Sequence, residues 1–477
     1  MKNFTVFLCL FILPAFLLSA PTFQKTYGDT AKDVGYGVLE LANDQYLLIG
    51  YTYSFGANGA DGYLLKIDNS GNLLWQHNID LGKDEFFRHG ALTADGGILI
   101  TGFTRTDENS PSDLLLVKVD SNGKLQWHKK YGGDKKDSGY DIKPTPDGNF
   151  VISGITSSFG AGGEDVWILK VNDNGDTVWT TTVGGAVNEA GRGCAVDASG
   201  NIFVSANTML FAPDMYMIKL NPDGSSAWLE SFASSGWTEG YDVCLSDGNA
   251  VFAGYGYWGN HDMLMLEMSA SGDTLLMEHA GLGGDDYAFA ITPTSDKGFV
   301  MVGRSTSLGG GNKGTMLKVN AAGQFQWQSA WGGDKDDMLW DVIETSDHCY
   351  LAVGFTNSFG QGKADVLVVK ADTSGNTTGI ENTQQTLPAD FWLAQNYPNP
   401  FNPTTTISYQ INGSSKQQVR LAVYDITGKL VAELVNAIQS PGKYQVRFNG
   451  QNLPSGVYVY RLTAGKFSQS KKMILLK

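Results

Sequence analysis

Acidic side chains recur along this chain at close to regular intervals. One series is Asp33, Glu85, Asp137, Glu189, Glu239, Asp286 and Asp337, and a second is Asp61, Asp113, Asp165, Asp214, Asp262 and Asp365. Converging carboxylates can hold hard cations or work as acid–base pairs. They can also do something plainer, which is to accept N–H bonds from the loops that carry them. A residue that every repeat carries meets a need that every repeat has, so both series are read first as scaffold. Other chemistries find few residues to stand on. The sequence holds no His-Glu-x-x-His, Cys-x-x-Cys, EF-hand or Gly-x-Ser-x-Gly pattern. The histidines at 77, 89, 128, 261, 279 and 348 are scattered. No catalytic residue, metal ligand or cofactor site is therefore assigned. Function is sought where the repeat symmetry breaks, and the candidate ligand-binding residues are Arg88, His89, Arg192, Trp237, Trp258, His261, Arg304 and Trp340. Trp237 and Trp258 fall in neighbouring repeats and suit sugar stacking or protein contact as exposed aromatics. Ordinary packing is the plain alternative for each of the eight.

The elements that position these residues follow from the repeat. An acid, a short apolar strand with Lys, an Asx-x-x-Gly turn and a strand with Trp recur, as in Asp61…Lys66…Gly71…Trp75 and Asp113…Lys118…Gly123…Trp127. The anchors at 66, 118, 170, 219, 267, 318 and 370 are spaced by 48 to 52 residues. Gly50, Gly102, Gly154, Ala206, Gly254, Gly303 and Gly354 form a second series with the same spacing. Such a period with four short strands per unit is the signature of a β-propeller. In the first unit the strands are expected at about 36–41, 46–52, 62–67 and 73–78. The repeated Trp75, Trp127, Trp179, Trp228 and Trp327 are read as packing between blades. The seventh unit stops after Gly375 without its fourth strand, and Phe23-Gln24-Lys25-Thr26-Tyr27 matches that strand. The N-terminal strand is expected to close the ring, leaving no open sheet edge. One face then carries only tight turns, and the other carries the longer Gly- and Asp-rich loops, where function usually sits.

The predicted fold class is all-β, a seven-bladed β-propeller over 21–376 followed by a small Ig-like β-sandwich over 391–477. Residues 377–390 read as a polar linker. Residues 1–20 read as a signal peptide, with Lys2, the apolar run Phe4 to Leu18 and small residues at Ser19-Ala20. No later stretch approaches the ~20 apolar residues a membrane span needs. The net charge is −15, with −21 on residues 1–380 and +6 on the rest, so phosphate backbones are repelled and nucleic acid is excluded as a partner. After export Cys194, Cys244 and Cys349 remain, an odd number, read as buried thiols with a Cys194–Cys244 bridge as the alternative.

Two resemblances add to this reading. Tyr131-Gly132-Gly133…Asp137-Ser138-Gly139-Tyr140 and Ser158-Phe159-Gly160 resemble elements of secreted bacterial proteins built from tandem propeller repeats, which implies the fold and little about function. The C-terminal unit resembles the type A sorting domain of type IX secretion cargo, known in Bacteroidetes and related phyla. The residues that carry this are the Asn396–Asn402 segment, Val423-Tyr424-Asp425-Ile426-Thr427-Gly428-Lys429, Gly456-Val457-Tyr458 and the final Lys471-Lys472-Met473-Ile474-Leu475-Leu476-Lys477. The resemblance implies the type IX machinery as partner and a secreted or cell-surface location. The function expected is binding of a glycan or protein on the loop-rich face. The alternative is a secreted glycan-active hydrolase or lyase with its site on the same face.

Overall fold

The computed structural model describes residues 20–55, 59–208, 213–281, 283–377, 392–393, 396, 398–411, 416–425, 429–440, 442–465 and 467–476. The apolar start of the chain, most of the polar linker and the Thr427-Gly428 turn lie outside these. The described residues contain strands and turns and no helix. The chain divides into two units, Met1–Asn382 and Thr383–Lys477.

The first unit consists of seven four-stranded antiparallel sheets. The first strands of the seven blades are Asp33–Leu41, Asp84–Leu92, Asp137–Pro144, Glu189–Val196, Thr238–Ser246, Asp286–Pro293 and Asp337–Glu344. In six blades the strands follow chain order, and in the seventh the fourth strand is Phe23–Tyr27, paired antiparallel with Asp365–Ala371. The first strand of the first blade begins at Asp33, three residues ahead of the expected Tyr36. Asp33 is fully buried and its carboxylate takes loop hydrogen bonds, so an Asp-Val-Gly stretch that reads as a turn continues the ladder.

Stacked blades bury both faces of their inner strands, so the second strands are mostly apolar and can be buried throughout, as in Phe150–Thr156. Fourth strands alternate between exposed and partly buried residues, as in Leu125–Tyr131. Leu47, Ile49 and Leu64 of the first blade pack with Phe87, Ile100 and Leu115 of the second. The same kind of cluster joins the last blade to the first, with Val353, Val366 and Val368 against Tyr46, Leu48 and Tyr63. The ring is therefore closed by apolar packing as well as by the N-terminal strand.

The two anchor series have physical causes. A Cβ on Gly123 would meet the Trp75 ring at 2.5 Å, so the tryptophan of one blade lies flat on the turn glycine of the next. The Trp179, Trp228 and Trp327 indoles also donate to carbonyls of the following blade, Pro222, Ala270 and Thr373, at 3.0–3.2 Å. Among the repeated lysines, the buried Lys118, Lys170, Lys318 and Lys370 pair with Asp95, Asp147, Asp296 and Asp347, in the first hairpin turn of their own blades, at 2.7–3.0 Å. Burying these ammoniums is tolerable only because each is paired.

The second unit is a sandwich of two antiparallel sheets. One holds Trp392–Leu393, Thr404–Ile411 and Gly442–Asn449, and the other holds Leu430–Gln439, Gln417–Asp425, Gly456–Ala464 and Phe467–Leu475. Ile407, Tyr409, Leu421, Val423, Tyr460 and Leu462 form its core between the sheets. Cys194, Cys244 and Cys349 of the first unit are free thiols.

The glycines of the second strands generate a prediction. A Cβ on Gly102 would run into the Phe86 carbonyl, whereas the fourth blade already carries Ala206 at the equivalent place. Gly102→Ala is expected to destabilise the protein by about 1–3 kcal/mol, the usual cost of overpacking. Ala206→Gly is expected to cost about 1 kcal/mol or less. Equal losses in denaturant unfolding would refute a specific backbone clash at Gly102.

Candidate functional site

Each first strand carries one β-bulge at the same place. Register breaks between Gly35 and Gly37, Phe87 and His89, Gly139 and Asp141, Gly191 and Cys194, Gly240 and Asp242, Ala288 and Ala290, and Leu339 and Asp341. A bulge turns the extra residue away from the alternation of its strand. The residues so released are Tyr36, Arg88, Tyr140, Arg192, Tyr241, Phe289 and Trp340, and all seven line a cavity of about 280 Å³ on the ring axis.

These side chains form a closed collar in which each touches the next. The Arg88 guanidinium lies 3.9 Å from the Tyr36 ring centre and 5.5 Å from that of Tyr140. Arg192 lies 4.8 Å from Tyr140 and 5.3 Å from Tyr241. The circle continues through Tyr241–Phe289 at 4.9 Å, Phe289–Trp340 at 4.5 Å and Trp340–Tyr36 at 5.3 Å. Cation–π attraction orients the two guanidiniums. Among the described residues neither forms an ion pair, and the buried Nε atoms of both, with Nε1 of Trp340, have no hydrogen-bond partner. Burial would raise the Tyr140 hydroxyl, but Arg192 and Arg88 outweigh it and hold Tyr140 below the ordinary tyrosine value.

One residue further along each strand lies a polar ring of His89, Asp141, Asp242 and Asp341, with Lys143 beyond it. His89 Nδ1 is 2.9 Å from Asp141 and Nε2 is 3.2 Å from Asp341. Lys143 donates to Asp141 at 2.9 Å. Each carboxylate also ties two adjacent blades together. Asp141 accepts from the Ile142 and Cys194 amides at 2.8 and 2.9 Å. Asp242 accepts from Val243 and Ile291 at 2.8 and 3.0 Å, and Asp341 from Val342 and Val38, both at 2.8 Å. Burial pushes Asp242 up to about 7, helped by Asp141 and opposed by Lys143. Burial also works against ionised Asp141, yet Lys143 and His89 hold it below the usual carboxylate range. Burial and Lys143 oppose a charge on His89, but Asp141 and Asp341 carry it up to about 9.

Of the eight candidates from sequence, Arg88, His89, Arg192 and Trp340 meet in this cavity. The other four lie toward the fifth and sixth blades. His261 bonds Asp285 at 3.2 Å and stacks on Tyr287 at 5.1 Å, and Arg304 lies 4.3 Å from the same ring. Trp237 and Tyr257 are exposed there, at 43% and 39%. Tyr255 connects this terrace to the collar, 6.0 Å from Tyr241 and 4.6 Å from Tyr287. Trp258 stacks flat on His279 of its own blade's outer strand at 4.1 Å, and Trp237 lies in the connection that leads from the fourth blade into the same fifth blade.

The repeated acids of the first series sit at the loop-rich ends of the first strands. Asp33, Asp137 and Asp337 each accept a threonine hydroxyl, a serine hydroxyl and a loop amide. In the fifth blade the register places Thr238 in that position, so Glu239 is off the series by one and instead accepts the Trp237 indole at 2.6 Å. Sequence reading missed Tyr36, Tyr140, Tyr241, Phe289, Asp141, Lys143, Asp242 and Asp341. The signal was present as an alignment column, three residues after each acid or after Thr238 in the fifth blade, that alternates Tyr and Arg before turning aromatic.

His89 gives a pH prediction. Its folded value of about 9 lies above the ~6.5 of a free histidine, so its stabilisation is complete below that and is lost as pH rises toward 9. Asp242, raised to about 7, also loses stability with rising pH, between about 4 and 7. The melting temperature is expected to fall from pH 6.5 to 9.5, and His89→Gln to flatten that fall. An undiminished slope in the variant would assign it elsewhere.

Comparison with known proteins places the C-terminal unit. Residues 395–476 match the secretion system C-terminal sorting domain family. An uncharacterized WD repeat-containing protein of Acanthamoeba polyphaga mimivirus is 27% identical over 187 residues, 31% of this chain and 13% of that protein. The regulatory protein FlaEY of Caulobacter vibrioides is 23% identical over 219 residues, 42% of this chain and 22% of that protein. This chain thus spans under a quarter of either relative. Among solved structures, puromycin hydrolase aligns with TM-score 0.48 and 12% identity over 83% of this chain and 62% of its own. An ulvan lyase aligns with TM-score 0.38 and 12% identity, over 57% of this chain and 75% of its own. Among the described residues no helix is long and apolar enough to cross a membrane. The protein is a repeat-built β-propeller that carries a type IX secretion sorting domain at its C-terminus and is exported to the outer surface or secreted.

Proposed function

We propose that this exported propeller is a binding protein that takes an anionic glycan at the axial mouth of its loop-rich face. The observation that carries this reading is the pair Arg88 and Arg192. They are two cavity-lining guanidiniums without an ion pair among the described residues, in a chain of net charge −15. With Lys143 and a protonated His89 they make the cavity cationic against three aspartates, inverting the charge of the surrounding body. A guanidinium held over aromatic faces keeps its fork of donors for a carboxylate or sulfate. The exposed Trp237 and Tyr257 of the neighbouring terrace supply flat apolar faces for sugar rings.

The state of the carboxylates favours binding over hydrolysis. Asp141 and Asp242 differ in proton affinity in the manner of an acid–base pair. Yet both oxygens of each accept backbone amides, and so do both of Asp341. A carboxylate tied on both oxygens holds strands together and cannot easily turn to protonate a glycosidic oxygen.

The test is a binding screen of the full chain against uronate-containing, sulfated and neutral polysaccharides, followed by calorimetry. Acidic polysaccharides are expected to bind and neutral ones not, with affinity falling as salt rises. Arg88→Ala and Arg192→Ala are each expected to weaken binding at least tenfold, about 1.4 kcal/mol, and Trp237→Ala several-fold. Equal binding of neutral glycans, binding of protein alone, or turnover of a polysaccharide would each reject this reading.

A further inference from the structure

We propose that the junction of the first and second blades binds a calcium ion through Asp61, Asp80 and Glu85. One carboxylate oxygen from each of these residues lies within 4.8 Å of the others. Asp61 and Glu85 are 1% and 0% exposed, and Asp80 closes the group from the solvent side.

Two observations mark this junction; the first recurs at Asp165 Oδ2 in the junction of the third and fourth blades, and the second is found at this junction alone. The first is an orphan atom. The matching acids Asp33, Asp137 and Asp337 have hydroxyl or amide partners on both oxygens. Glu85 accepts the Leu81 amide on Oε2 at 3.1 Å, and its buried Oε1 has no hydrogen-bond partner. An unpartnered buried carboxylate oxygen is costly and calls for a cation or donor.

The second observation is a break in the repeat. Five residues before the buried position of each first strand, the chain carries Gly28, Gly132, Gly184, Ala233, Gly281 and Gly332, and only here Asp80. The glycines lie directly against the carboxylates. A Cβ on Gly281 would sit 2.6 Å from both Asp262 and Asp286, and one on Gly28 would sit 2.6 Å from Asp33. Where the Gly28 and Gly281 junctions leave room for two acids by omitting a side chain, this one inserts a third carboxylate above the pair. The site thus revises the expectation of no metal for one junction and leaves the scaffold reading in place for the others.

The surroundings do not neutralise the three charges. Among the described residues none of the three forms an ion pair, and the nearby Asp84 is taken by Arg105 at 3.4 Å. The remaining contacts are the Gly82 amide on Asp80 at 2.7 Å, the Asn78 side chain on Asp61 at 3.0 Å and the Lys83 amide beside the Glu85 carboxylate. Burial, with Asp61 and Asp80 adding like charge, pushes the Glu85 carboxyl up to about 7. Hard oxygen donors without histidine or cysteine select calcium, whose large and irregular shell accepts carboxylates plus waters. Magnesium demands a tighter octahedron.

The experiment is equilibrium dialysis of the full chain with radioactive calcium, joined to melting curves in calcium chloride and magnesium chloride. One site is expected, with a Kd of about 10⁻⁴–10⁻³ M, typical of extracellular modules. Calcium is expected to raise the melting temperature, with magnesium at least tenfold weaker. Asp80→Gly restores the residue of five of the other six junctions, so it is expected to fold with an unchanged melting temperature in chelator and to lose calcium binding at least tenfold. Asp80→Asn, isosteric with the native residue, provides the same readout if the glycine variant is unstable. No saturable calcium binding, undiminished binding in both Asp80 variants, or equal binding of magnesium would overturn the proposal.

Discussion

The cavity on the axis depends on one close approach repeated around the ring. In each first strand a bulge pushes a carbonyl toward the second strand, and in six of the seven blades the residue it meets has no side chain. A Cβ on Gly50, Gly102, Gly154, Gly254, Gly303 or Gly354 would collide with the carbonyl of Val34, Phe86, Ser138, Glu239, Tyr287 or Met338. The glycine lets the bulge close tightly on the second strand, and without the bulge the extra residue would stay in the strand's alternation. In the fourth blade Ala206 stands in this place, and there the register skips both Arg192 and Gly193 before resuming at Cys194. The glycine series and the collar are therefore one feature seen from two strands.

The same economy governs how the ring is locked. The N-terminal strand does what the fourth strand does elsewhere, side chain by side chain. Phe23 lies where a Cβ on Gly71 would be, as Trp75 does for Gly123 and Trp127 for Gly175. The Tyr27 hydroxyl donates to the Gly71 carbonyl at 2.6 Å, and the Tyr131 hydroxyl donates to that of Gly175. Closing the last blade with the first strand makes the two ends of the propeller hold each other. The apolar clusters then run unbroken through all seven junctions.

How much of this was legible in sequence varies with how local the cause is. The period, the four-strand unit, the closing strand and the role of the tryptophans follow from spacing and turn chemistry, which act within one or two blades. The scaffold role of Asp33, Asp137 and Asp337 follows from repetition itself. Four of the eight candidate residues reached the cavity because they break the pattern in charge or size. The aromatic members of the collar did not stand out, since a tyrosine in a strand reads as core. Only the bulge, a backbone event between two strands, turns Tyr36, Tyr140 and Tyr241 toward the axis. The packing of Trp258 was not legible either, because an outer-strand histidine 21 residues away in sequence supplies a stacking partner that no local pattern announces.

The ring of polar residues shows what an odd number of blades imposes. From the third blade onward the residues following the collar are Asp141, Gly193, Asp242, Ala290, Asp341 and Gly37, a strict alternation of acid and small residue. Each aspartate reaches the next blade's amide, Cys194, Ile291 or Val38, and the small residue just before that amide leaves it room. A Cβ on Gly193 would collide with the Asp242 side chain, so the residue before the stapled Cys194 amide must stay small. Alternation cannot close on seven positions, and the second blade is left over. His89 occupies it, beside Gly37, whose missing side chain lets the imidazole reach Asp341 past the first blade while its other nitrogen faces Asp141. One protonated histidine thus joins two acids that the staple pattern would leave adjacent to a gap. Its charge adds to that of Arg88 and Arg192, which form no ion pair among the described residues. The symmetry defect that an odd ring makes unavoidable is the place where the cavity acquires its positive character.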